Sequence, residues 1–173
     1  MIHQLSIDLE TFSSVSIRDS GAWKYIQSPD FEILLFAYSL DGGPVQVIDI
    51  ASGETVPEWI VSALTDPAYI KRAYNAPFEY GCLSKVYGAM IPSQWRCTMF
   101  HGLYCGYTAG LDATGKALGL PEDKQKLNTG KALFGTSASL VNRPSLTVAG
   151  HGTFRNMTRK NGGFSRNTTY RTL

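Results

Sequence analysis

The sequence predicts an α/β fold, a mixed sheet with flanking helices. Three observations predict it. Over roughly the first 130 residues, apolar runs of strand length alternate with stretches whose apolar residues recur at helical spacing. Asp41-Gly42-Gly43 lies between two of those runs and marks a hairpin turn. Beyond the hairpin the order is helix, strand and helices, which together with the hairpin gives a mixed α/β sheet. At 173 residues the chain is one domain by length and large enough to bury a core.

The elements follow in chain order. Leu5 to Leu9 is a short strand candidate that ends in the charged run Asp8-Leu9-Glu10-Thr11, and a polar, Ser-rich stretch with no assigned element comes next. Glu32 to Leu40 is apolar and aromatic, as a buried strand should be, and Val45 to Ile50 is its return strand. Pro57 opens a helix through about Leu64, since proline suits a first helical turn. Ile70 to Tyr74 is another strand. Pro77 to Tyr87 is a helix with Phe78, Cys82, Leu83 and Val86 on one face. Trp95 to Cys97 is a last short strand, followed by helices over Thr98 to Tyr104 and Leu111 to Leu118, the second weakened by Gly115.

The formal net charge of +2 hides an uneven distribution. All 14 acidic residues lie between Asp8 and Asp123, whereas nine of the 16 Lys and Arg residues follow from Lys124 onward. No apolar run approaches the about 18 residues of a membrane span; the best, Ile33 to Tyr38, is strand-sized. Asp8 and Glu10 interrupt the place where a signal peptide would be apolar, so the expectation is a cytoplasmic protein without a membrane partner. Cys82, Cys97 and Cys105 are odd in number and lack zinc-like spacing, and read as small buried hydrophobes in a reducing compartment.

Residues two apart on a strand share a face, so Asp8 and Glu10 project together. Adjacent carboxylates repel, and a divalent cation with oxygen ligands is the simplest way to satisfy them. Two such ions roughly 4 Å apart suit phosphodiester hydrolysis. An Asp-x-Glu triplet is also common by chance, as a solvated strand end. Asn75-Ala76-Pro77-Phe78-Glu79 falls between a predicted strand and a helix, where Glu79 enters from the first turn and the helix dipole favours an anion. The plainer alternative is that Asn75 caps the helix and Glu79 complements its dipole.

Taken together these segments resemble the 3′–5′ exonuclease superfamily, which has four acidic metal ligands and a ribonuclease-H-like fold. Ile7-Asp8-Leu9-Glu10-Thr11 looks like its first motif and Asn75 to Glu79 like its second. More closely, Leu5 through about Leu133 is similar to the proofreading domain of phage-type family A DNA polymerases. Leu34 to Tyr38, Trp95 to Met99 and Ala117 to Pro121 strengthen that match. The resemblance implies that Asp8, Glu10 and Glu79 are catalytic metal ligands, and that Thr11, Asn75 and Phe78 bind the terminal nucleotide. It also implies Mg²⁺ or Mn²⁺, two ions in an intact member, and a single-stranded DNA 3′ end as partner. Glu79 stands where most of the superfamily has Asp, one methylene longer. A non-catalytic nucleic-acid-binding protein and an RNA-trimming exonuclease of the same superfamily are the alternatives.

The family's third motif, a Tyr or His shortly before a fourth acidic ligand, has no counterpart here, because no acid follows Asp123. From Phe134 to Leu173, Ser, Thr, Asn, Gly and Arg dominate and periodicity disappears. This tail reads as a basic disordered arm, an unfamiliar folded end, or the right gene in the wrong frame. Back-translation into the neighbouring frame permits stretches that look like the phage polymerase continuation, including one that resembles the third motif, and favours a single-base shift near Phe134. The expected consequences are a missing C-terminal helix, an incomplete domain over residues 1–133, exposed apolar surface and impaired catalysis.

Overall fold

The computed structural model describes residues 1–120, together with the two-residue strands β6 (Arg159–Lys160) and β7 (Gly163–Phe164), which pair with each other. Apart from those two strands, the tail, the expected absence of its helix and the proposed frame change lie outside the described residues.

Five strands form the main sheet: β1 (His3–Phe12), β2 (Glu32–Leu40), β3 (Gln46–Asp49), β4 (Tyr69–Ala73) and β5 (Trp95–Cys97), in the spatial order β3-β2-β1-β4-β5. The pairs β1–β2 and β2–β3 are antiparallel, while β1–β4 and β4–β5 are parallel, so the sheet is mixed. Among the described residues the helices are α1 (Ile17–Gln27), α2 (Glu58–Thr65), α3 (Ala76–Tyr87), α4 (Thr98–Tyr104) and α5 (Leu111–Ala117). No helix among them is long and apolar enough to cross a membrane.

Most elements fall within a few residues of their expected bounds, and the departures have physical causes. β1 extends to Phe12, because β2 pairs with it along its whole length. Asp8 and Glu10 therefore lie inside the central strand rather than at its end. The register slips between Glu10 and Thr11: Glu10 faces Leu35 and Thr11 faces Ile33, which leaves Leu34 as the extra residue of a bulge on β2.

The Ser-rich stretch contains a helix, α1, that its apolar pattern conceals. Only Tyr25 and Ile26 are buried, and Trp23 points outward. The legible trace was Ser16-x-x-Asp19, a helix-start pattern: the Ser16 hydroxyl accepts from the Asp19 backbone N–H at 3.4 Å. Two further expectations fail. Val86 is exposed rather than packed with Phe78, Cys82 and Leu83, because it lies in the last turn of α3. Of the cysteines, Cys82 is buried, Cys97 is half-buried and Cys105 is exposed, since the short α4 buries none of its residues and Cys105 ends it.

Cross-strand neighbours share a face, so Leu5 and its partner Lys71 point the same way. Lys71 is fully buried, and its ammonium donates to the Tyr69 and Ala63 carbonyls and to Gln94 Oε1 at 3.0, 3.3 and 2.7 Å. Ala63 belongs to α2, so α2 covers the face lined by Leu5, Ile7 and Leu9. Asp8 and Glu10 leave on the opposite face.

Burial pushes the Lys71 ammonium down to about 8, against a smaller opposing pull from Asp66. The folded chain thus releases this proton before the unfolded chain does, whose lysine holds it to the ordinary value of 10.5. Between those values the unfolded state binds more protons, and stability rises with pH. Lys71→Met should flatten that rise, whose slope is at most about 1.4 kcal/mol per pH unit. Denaturant unfolding of parent and variant across this range checks it.

Candidate active site

Two segments build the site. β1 is the middle strand of the sheet, and near its end Leu9, Glu10 and Thr11 are buried in succession. The bulge on β2 lies directly across from Glu10 and Thr11, a place where bulges are common beside sites. Asp8 is half-buried on the same side of the strand as Glu10.

The second segment is the turn from β4 into α3. Asn75 occupies the N-cap position with φ 72° and ψ 43°, in the left-handed region, and its side chain makes no capping bond. The capping role considered for it is therefore carried by its backbone, whose carbonyl accepts from the Phe78 N–H at 2.9 Å. Among non-glycine residues Asn tolerates this conformation best, which explains its presence at so sharp a corner. The corner delivers Phe78 and Glu79 into the interior in the first turn of α3, with Pro77 pre-set for that turn.

Glu79 is 2% exposed, and its Oε2 has no hydrogen-bond partner. Burial is the main cause that raises its carboxyl well above the ordinary carboxylate range. The charge of Asp8 is the next, with smaller contributions in the same direction from Cys97 and Glu10, and a backbone hydrogen bond opposes them. The field at Glu79 thus brings the three sequence-predicted acids into one electrostatic neighbourhood. Among the described residues no group of three or more His, Cys, Asp or Glu side chains is arranged closely enough to hold a metal ion. Their chemistry nevertheless fits a hard divalent cation: all donors are carboxylate oxygens, and one buried oxygen lacks a partner.

Thr11 and Phe78 are both buried beside the acids and joined through α1. Thr11 Oγ1 lies 2.9 Å from the Tyr25 hydroxyl, and the Tyr25 and Phe78 rings are 6.2 Å apart. Sequence reasoning missed Tyr25 because it missed α1. It also missed Cys97 as a neighbour of Glu79, for which a parallel register between β4 and β5 is needed: Cys97 pairs with Ala73.

On the outer side of the same α3 turn, a groove of about 400 Å³ is lined by Ala76, Pro77, Tyr80, Trp95, Arg96, Cys97, Phe100, His101 and Pro92. It has aromatic walls and two basic residues, with no acid among its lining residues. Trp95 and Tyr80 meet edge to face at 5.9 Å, and the buried Trp95 indole N–H has no acceptor.

The chain is 50% identical over 131 residues to a DNA polymerase of Bacillus phage SP02, a match that spans 75% of this chain and 20% of the polymerase. It therefore covers about a fifth of that relative's length. No family model matches it. Among solved structures, Brucella melitensis NrnC bound to pGG has a TM-score of 0.53 at 21% identity, covering 74% of this chain and 56% of that one. The same protein with bound Mg²⁺ has a TM-score of 0.50 at 22% identity, covering 68% and 54%. These likenesses fix the fold as ribonuclease-H-like, and in sequence the chain is similar to about a fifth of a phage DNA polymerase.

Proposed function

We propose that the chain is a divalent-metal-dependent exonuclease domain that acts on single-stranded DNA 3′ ends, with Asp8, Glu10 and Glu79 as its metal-holding residues. The observation that carries it is Glu79: a carboxylate buried with an unpartnered oxygen, in the field of Asp8 and Glu10. Without a cation this carboxyl is held in its neutral form, and a buried polar oxygen left without a hydrogen bond costs about 1–3 kcal/mol. Mg²⁺ or Mn²⁺, when bound there, supplies the charge that polarises a phosphodiester and activates water. Asn75 sets the corner that delivers Glu79, and Thr11 and Phe78 face the terminal nucleotide.

Within these residues no acid follows Asp123, and no Tyr or His of the third motif is recognisable. Without a group to orient or deprotonate the attacking water, the chain turns over slowly, by a factor on the order of a thousand, or about 4 kcal/mol. We attribute the tail to a single-base shift near Phe134. Resequencing the gene there decides it, since a clean read whose other frame encodes nothing family-like removes that explanation.

A single-stranded oligonucleotide labelled at its 3′ end, incubated with the chain and Mg²⁺ or Mn²⁺, tests the function. Release of labelled mononucleotide that stops on chelation supports it; no release from DNA, with release from RNA, transfers the activity to RNA trimming. The groove supports nucleic acid as the partner: its rings suit stacking, and Arg96 suits a phosphate. Arg96→Ala should weaken oligonucleotide binding and lower the salt slope by about 1, as loss of one phosphate contact does. Fluorescence anisotropy at several salt concentrations measures it. Binding that is unaffected places the strand elsewhere.

A further inference from the structure

α1 places one large polar side chain beneath the acids that the site as described does not use. Tyr25 is 0% exposed, yet it comes from a helix that buries only one other residue, Ile26. Its hydroxyl bonds Thr11 Oγ1 at 2.9 Å, and its ring stands 6.2 Å from Phe78 and edge-on at 5.9 Å to Phe31. α1 is also pressed closely onto α3, since a Cβ on Gly81 would lie 2.9 Å from Ile26 Cδ1.

We infer, resting on the exonuclease reading, that Tyr25 is a positioning residue that fixes Thr11 against Phe78 and so sets the shape of the pocket for the 3′-terminal nucleotide. Thr11 arrives on β1 and Phe78 on α3, and Tyr25 touches both. A phenylalanine would fill the same core volume with no polar atom to satisfy, whereas burying a hydroxyl is costly unless it is bonded. The hydroxyl therefore serves the bond to Thr11, whose χ1 it selects among staggered alternatives. Burial pushes the phenol up to about 12, so Tyr25 stays a neutral hydrogen-bonding group and exchanges no proton with substrate.

Tyr25→Phe keeps the ring and removes the bond. In steady-state kinetics of the full chain on a 3′-labelled single-stranded oligonucleotide with Mg²⁺, KM should rise about fivefold, the worth of one neutral hydrogen bond, with kcat changed by less than about twofold. Thr11→Val should raise KM by a similar factor, and the double variant no further, because both substitutions remove one bond. Thermal melts show that each variant is folded at the assay temperature. An unchanged KM in Tyr25→Phe, or effects that multiply in the double variant, overturns the positioning role while the exonuclease reading stands. A parent chain that neither binds nor shortens the oligonucleotide overturns both.

Discussion

Replacing Asp8 with alanine should lower Mg²⁺-dependent release of 3′ nucleotides by about a hundredfold or more, the scale of losing one electrostatic anchor in a site of this kind. Asp8 is half-buried on the central strand and is the largest charged influence on Glu79. The activity of the parent is expected to be slow, so single-turnover assays with enzyme in excess give the needed range. The variant should remain folded, because Asp8 lies outside the apolar cluster built on Leu5, Ile7 and Leu9. Equal rates in parent and variant would show that the shortening comes from another source.

The second large effect is on stability. A carboxyl raised in the folded state contributes stability that is fully present below its unfolded value of 4.5 and is lost as pH rises through the folded value. The metal-free chain should therefore lose stability from Glu79 as pH rises beyond the ordinary carboxylate range. Glu79→Gln holds the neutral form at every pH and should flatten this loss, with a gain of about 1–3 kcal/mol on its alkaline side. Mg²⁺ should stabilise the parent by binding the native state, and should leave Glu79→Gln nearly unaffected. Thermal melts over pH with and without Mg²⁺ measure both. A variant less stable than its parent in metal-free buffer at alkaline pH would mean that Glu79 is held by a bond that favours its charge.

Much of this site was legible because its parts are written locally. Asp8 and Glu10 are two apart on a strand, and the period of two alone puts them on one side. Glu79 was legible from Asn75 and Pro77, which mark a helix start. The side-chain cap weighed as the plainer alternative for Asn75 is absent, and the residue occupies a left-handed corner. α1 was hidden because it buries only two residues and displays Trp23, so no apolar stripe betrays it. Tyr25 was lost with it. Lys71 escaped for the opposite reason, since a lysine on a strand reads as solvated unless the carbonyls of its cage are known.

The central claim is that Asp8, Glu10 and Glu79 together hold divalent metal, and calorimetric titration of Mn²⁺ into the metal-free chain tests it without reference to turnover. The parent should bind with defined stoichiometry, and both Asp8→Ala and Glu79→Gln should lose that binding. Identical titrations for all three chains would contradict the account.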